Sequence, residues 1–324
     1  VNEFEKAFAK YCGVKHAIGV GNGTDSLVLC LKALGIGHGD EVITAANSWI
    51  STAAAIHLVG AVPVFVDIDK SLHMSPHLIV RKLNKRTKAI MPVHLTGKVC
   101  EMQIITRIAN DHGLYVIEDA AQAVGAKRYG KMAGSFGDLA SFSLHPLKNL
   151  NACGDAGIIT TDFEDLAEKI RLLRNHGLET REEARFFGYN SRLDTIQAAI
   201  LLTKMKRLES WIERRREIAF MYSSGLPDQL FLPGGEELGE RHSYHTYIVQ
   251  CEQRDFLKEF LEKNGIETKI HYPIPIHMQK FMSGAPDLFY TEACAKIILS
   301  LPINQYLTNK QVSYVIKKIN EFYQ

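Results

Sequence analysis

Residues 89–122 read AIMPVHLTGKVCEMQIITRIANDHGLYVIEDAAQ. Two short apolar runs, Ala89–Leu95 and Tyr115–Glu118, flank a helical stretch, Met102–His112. Gly113 follows where a helix C-cap would place a glycine. Nearly unbroken apolar runs are the mark of strands covered by helices on both faces. The second run ends on acidic residues, Glu118 and Asp119.

The same alternation extends outward. Further strands are expected at His16–Val20, Glu41–Thr44, Pro63–Asp67, Leu139–Leu144 and Gly157–Thr161, with helices at Thr24–Leu34, Trp49–Val59 and Asp165–Arg174. Gly35 again sits at a helix end. Alternation of this kind predicts an α/β domain around a mostly parallel, mixed sheet. The character changes after about Ser191. A long helical pattern runs from Leu193 to Met221, and its charged middle reads as a solvated face. A break at Pro227 and Pro233-Gly234-Gly235 precedes a strand (His245–Cys251), a helix (Arg254–Asn264), a Pro-rich loop (His271–His277) and two more helices. The division expected is a large domain over 1–205 and a smaller α+β domain over 206–324.

Composition narrows the function. The chain has 324 residues, 46% of them hydrophobic, enough to bury a sizeable core. Net charge is +2 with both signs interspersed, so neither nucleic acid nor a membrane surface is expected as partner. The charged N-terminus is not a signal peptide, and no run is apolar enough to span a bilayer. Six cysteines without a CxxC or ladder spacing read as reduced thiols in a cytoplasmic protein, with no metal site. The first residue is not Met and lies in an apparent amphipathic helix (Phe4, Phe8, Tyr11), so a native lead is expected to precede it.

Three constellations carry chemistry. Gly19-Val20-Gly21-Asn22-Gly23-Thr24-Asp25-Ser26 follows a strand and opens a helix. Glycines admit a close ligand, and free N–H groups at the helix start suit an anion such as phosphate. A plain turn with Thr24 as N-cap explains the same residues. A dinucleotide fingerprint is weak, because Thr24 replaces the last glycine and Asp40 sits in a turn. Asp119 ends a strand, where α/β sheets place ligands, and a buried carboxylate there needs a cationic partner. Taken alone it reads as a structural aspartate that caps the following turn. Lys148 lies in a loop that Pro146 forces after the strand Leu139–Leu144. A lysine losing water there drops its pKa and can form a Schiff base, although most lysines are solvated surface residues.

Six segments together resemble the DegT/DnrJ/EryC1/StrS sugar aminotransferases over essentially the whole chain: FEKAFAKYCGVKHAIGVGNGTDSL, GIGHGDEVITAANSWISTAAAI, VIEDAAQAVGA, GSFGDLASFSLHPLKNLNACGDAGIIT, GYNSRLDTIQAAIL and HYPIPIHMQ. The resemblance implies the aspartate-aminotransferase type of fold and pyridoxal 5'-phosphate as cofactor. Lys148 would carry the cofactor and then move the proton. Asp119 would pair with its pyridine nitrogen. Gln122 would hydrogen-bond near its phenolic oxygen, and Trp49 would stack on the ring rather than serve as a core aromatic. Thr24, Asp25 (mainly through its backbone N–H) and Ser143 would hold the phosphate. Asn190 and Arg192 would reach in from a second subunit, which requires a homodimer with shared active sites.

The implied reaction moves an amino group from glutamate, or glutamine, to a keto sugar, usually nucleotide-linked. A sugar dehydratase of the family would carry histidine at position 148. A regulator would need a basic recognition face, and none is evident. His94 and His145 read as packing histidines, while His271 and His277 either line the sugar site or shape their loop. The Leu144-His145 pair departs from common family forms.

Overall fold

The computed structural model describes residues 1–282, 284 and 287–324. Its main sheet uses β1 (His16–Val20), β2 (Glu41–Ala45), β3 (Val62–Val66), β4 (Thr87–Met91), β5 (Tyr115–Asp119), β8 (Leu139–Ser143) and β9 (Gly157–Thr161), in the order β1-β9-β8-β5-β4-β2-β3. The short strands β6 (Lys127–Arg128) and β7 (Lys131–Met132) form a separate hairpin. Pairs from β3 through β8 are parallel; β9 runs antiparallel to both β8 and β1. The sheet is thus mostly parallel and mixed, as expected.

Alternate residues of each strand enter different cores, which is why the strands read as apolar runs. Val116 and Ala140 pack with α1 (Asn2–Cys12), α5 (Met102–His112) and the start of α7 (Thr195–Gly225). Ile117 and Leu139 pack with α2 (Gly23–Ala33), α3 (Ser51–Leu58) and α6 (Glu164–Leu173). Helix α4 (Pro76–Ile79) adds Ile79 to the first of these cores. On α1, Phe4, Phe8 and Cys12 recur at four-residue spacing, and Phe8 meets Phe142 edge-on at 5.1 Å.

A further core joins the end of α7 (Ile218, Ala219, Tyr222) to α8 (Arg254–Lys263), α10 (Asn309–Phe322) and an antiparallel pair, β10 (Tyr247–Gln250) with β11 (Ile298–Leu301). Strand β11 was not expected. It follows α9 (Phe289–Ile297) without a break, so Ile298-Leu299-Ser300-Leu301 reads as more helix until β10 pairs with it. Other differences are at ends. Strand β4 stops at Met91 because Pro92 has no N–H for the ladder, and Val93 keeps only an isolated bridge to Asp119. Trp49 precedes α3 instead of lying on it.

Candidate active site

The C-terminal ends of β1, β5 and β8 converge. Asp119, the last residue of β5, lies in register with Ser141 of its parallel neighbour β8. Ser141 Oγ accepts from Ser26 Oγ at 2.7 Å, which ties the start of α2 to that strand. Gly23 has to be glycine here, since a Cβ would stand 2.8 Å from Ser143 Cβ. Ser143 therefore borders the first turn of α2, where backbone N–H groups face outward. The cap itself is Asn22, whose Oδ1 accepts from the Asp25 amide at 2.9 Å. Thr24 is thus not the cap; its hydroxyl donates to Ser51 Oγ at 2.8 Å. An anion taking the Asp25 N–H must share it with Asn22.

Asp119 is buried, with Oδ2 accepting from Thr52 Oγ1 at 2.7 Å and Oδ1 from the Ala121 amide at 3.2 Å. Burial pushes its pKa up, against the pull of those two hydrogen bonds and of the nearby Lys148. Lys148 is half-buried, and its ammonium makes no hydrogen bond or ion pair with any described residue. Burial pushes its pKa down, partly offset by Asp119. An amine and a carboxylate in one pocket, each driven toward its neutral form, are poised for nucleophilic attack and for binding a cation.

Gln122 is held on two sides. Its Oε1 accepts from the Thr96 amide at 2.8 Å, and its Nε2 donates to Tyr272 Oη at 3.2 Å. The Tyr272 ring stands 5.7 Å from Trp49, which is 58% exposed and so offers a ring face to a ligand instead of filling a core. Asn190 and Arg192 are exposed, and Arg192 Nη1 donates to Asn175 Oδ1 at 2.9 Å. Ser191 between them turns inward, with its hydroxyl on Asp25 Oδ2 at 2.6 Å and on the Gly21 amide at 3.0 Å. Sequence reading missed Asn22, Thr52, Ser191 and Tyr272. Only Asn22, a good N-cap residue just before a helix, gave a usable signal.

The histidines separate. His94 is fully buried with Nε2 2.8 Å from Glu118 Oε2, a packing role as expected. His145 is exposed and its ring Nδ1 accepts from the Leu147 amide at 3.3 Å, so it shapes its loop and packs in no core. His271 Nδ1 lies 2.8 Å from Ser300 Oγ. Its pKa is lowered by burial and then by Lys148, which places it near the lysine. His277 Nε2 is 3.1 Å from Glu292 Oε1.

Residues 1–320 match the DegT/DnrJ/EryC1/StrS aminotransferase family. The chain belongs to that family. Its relatives include a protein of Geobacillus stearothermophilus named a pleiotropic regulatory protein, 44% identical over 100% of this chain and 89% of the relative. Another is the dTDP-3-amino-3,6-dideoxy-alpha-D-galactopyranose transaminase of Aneurinibacillus thermoaerophilus, 43% identical over 99% of this chain and 90% of the relative. Among solved structures, S. venezuelae DesV in complex with a ketimine intermediate superposes with a TM-score of 0.97 at 39% identity, covering 100% of this chain and 89% of DesV. As a member of the family, the protein is an aminotransferase of the fold expected from its sequence. No helix among the described residues is long and apolar enough to cross a membrane.

Proposed function

We propose that this aminotransferase uses pyridoxal 5'-phosphate to move an amino group from glutamate to a keto sugar carried on a nucleotide. The observation that carries the reading is a Lys148 amine near enough to the buried Asp119 carboxylate to bear on its ionisation, at the strand ends beside the glycine-bounded start of α2. The donor set fits the cofactor: an unpartnered amine for its aldehyde, a buried carboxylate for a protonated ring nitrogen, and a helix start with Thr24, Asp25 and Ser143 for its phosphate. When bound, the cofactor would supply an aldehyde reactive toward amines and a ring that accepts electrons.

The chain's own residues do the rest. Lys148, with its pKa lowered, is neutral more readily and can both attack a carbonyl and take a proton from carbon. Asp119 would keep the ring nitrogen protonated, Gln122 would donate toward the ring oxygen, and Trp49 would cover the ring. Asn190 and Arg192, both exposed, are assigned to a second subunit's site, so the proposal includes a homodimer. It includes two units, 1–205 and 206–324, joined through α7. It also includes a cytoplasmic location, which suits six free thiols.

A dehydratase is disfavoured by lysine at position 148. The regulatory name of one relative does not account for a desolvated lysine and a buried aspartate placed near each other. The visible absorbance of the purified protein, before and after glutamate and beside Lys148→Ala, tests the reading. The expected result is a band that glutamate bleaches and that is lost or unresponsive in the variant. A protein that stays colourless with added pyridoxal phosphate refutes it, and a band indifferent to glutamate points to another donor or to dehydration.

A further inference from the structure

Lys148 sits in a loop that is loose on one side. His145, Pro146 and Leu147 before it are exposed, and the Lys148 amide only closes a turn onto the His145 carbonyl at 2.9 Å. The side after it differs. Leu150 and Ala152 enter the core, and the positions alternating with them are asparagines, Asn149 and Asn151. Apolar burial is non-directional, so it fixes how deep the loop sits but not which way Lys148 faces. Hydrogen bonds carry direction.

Asn149 is only 4% exposed, which is costly for a carboxamide that lacks partners. Its Nδ2 donates to the Ser243 carbonyl at 2.9 Å, and its Oδ1 lies 3.4 Å from His245 Nδ1. Both anchors lie on the approach to β10, and that approach is itself fixed. The Ser243 amide donates to the Gly97 carbonyl at 2.9 Å, so close that a Cβ on Gly97 would stand 2.5 Å from Ser243 Oγ. The buried Arg215 of α7 donates through Nη1 to the carbonyls of Tyr244 at 3.0 Å and Ile303 at 3.1 Å. Asn151 works from another element. Its Nδ2 donates to the carbonyl of Lys148 itself at 2.8 Å, and its own backbone carbonyl accepts from Lys204 Nζ of α7 at 2.9 Å. No described residue bonds the Lys148 ammonium, so its place depends on the backbone that carries it.

We propose that Asn149 and Asn151 are positioning residues for Lys148: they lock its loop against the approach to β10 and against α7, and so keep the amine near Asp119. The inference rests on Lys148 being the working amine of the proposed reaction. Burial lowers the pKa of Lys148. A lysine released with its loop regains water, and its pKa rises toward the ordinary value of about 10.4.

Trace acetylation of the full chain without cofactor, by acetic anhydride over a series of pH values, tests this. Mass spectrometry of the Lys148 peptide gives the pH midpoint at which the amine becomes reactive, and the exposed Lys85 in the same sample is the reference. Asn149→Ala is the stronger variant. Asn151→Ala is the milder one, because Lys204 keeps its bond to the backbone carbonyl at position 151. Near-ultraviolet circular dichroism checks that each variant keeps the wild-type fold, and if Asn149→Ala does not fold, Asn151→Ala decides. The Lys148 midpoint, taken relative to Lys85, is expected to rise by about one pH unit in both. A midpoint that stays at the wild-type value in a folded variant overturns the proposal, as does a shift that Lys85 shares. The readout needs no cofactor, so a protein that binds no pyridoxal phosphate would refute the proposed function and leave this result standing.

Discussion

Thr52→Val isolates what a single hydroxyl does to Asp119. The Thr52 hydroxyl has one proton, and it points at Asp119 Oδ2, 2.7 Å away. Ser48 Oγ, 2.7 Å from Thr52 Oγ1, must therefore be the donor in that contact. Burial is the largest influence on Asp119 and raises its pKa; Thr52 is the strongest of the influences that oppose it. A hydrogen bond to a charged acceptor contributes about 1.5–3 kcal/mol and to a neutral one about 0.5–1.5 kcal/mol. The difference, about 1–1.5 kcal/mol, corresponds to roughly one pK unit. Valine keeps the shape, removes the donor, and raises the Asp119 pKa further by that amount.

The pH dependence follows from the sign. A carboxyl whose folded pKa is raised leaves stability intact below the unfolded value of about 3.9, and stability falls as pH rises through the folded pKa. In the variant the fall continues to higher pH. The variant should thus be less stable by about 1 kcal/mol in acid and by about 2 kcal/mol at neutral pH. Urea melts of both apoproteins at one concentration and a series of pH values measure this. Lys148 and His94, which also bear on Asp119, are common to both proteins and cancel in the difference. A penalty that does not change with pH would refute the assignment of the Thr52 proton to an ionised Asp119.

Gly23→Ala places a methyl 2.8 Å from Ser143 Cβ and 3.2 Å from its Cα, and so closes the start of α2. A loss of about 1–3 kcal/mol in stability is expected in denaturant melts, with at least tenfold weaker retention of cofactor on dialysis; wild-type retention would mean the phosphate sits elsewhere. Asp67 accepts from the Tyr290 amide at 2.8 Å and from the Thr291 amide and hydroxyl at 2.8 and 2.7 Å, capping α9 from a distant strand end. Burial raises its pKa, but these hydrogen bonds outweigh it and hold the carboxyl below the usual range. That stabilisation is present above the ordinary carboxylate pKa and is lost as pH falls through the lower folded one. Asp67→Asn should cost about 0.5–2 kcal/mol at neutral pH and less in strong acid, as read from thermal melts.

Most strands of the main sheet were legible because both faces are buried, so hydrophobicity alone marks them. His16–Val20 and Gly157–Thr161 agree with β1 and β9 at both ends. The later part of the chain was less legible because its elements depend on partners. Ile298–Leu301 is a strand only because Tyr247–Gln250 lies beside it, and nothing local separates it from the preceding helix. The site divides in the same way. Asp119 and Lys148 stood out as candidates because one ends a strand and the other lies in the loop after one, and the family resemblance then gave each a role. Thr52, Ser191 and Tyr272 did not stand out, because their partners Asp119, Asp25 and Gln122 lie 67, 166 and 150 positions away in the chain.

What sequence could not supply is the common cause behind the two key shifts. Burial lowers the pKa of Lys148 and raises that of Asp119, and their mutual attraction only partly restores the charged forms. Two such groups gain little from each other because the apolar surroundings charge both for ionising. A ligand that takes the amine into a covalent bond and offers a cation to the carboxylate relieves both penalties at once. On that logic the same burial that disfavours both charges favours the proposed cofactor. Substituting Asp119 with Asn should therefore weaken cofactor retention while sparing, or even raising, the stability of the apoprotein at neutral pH.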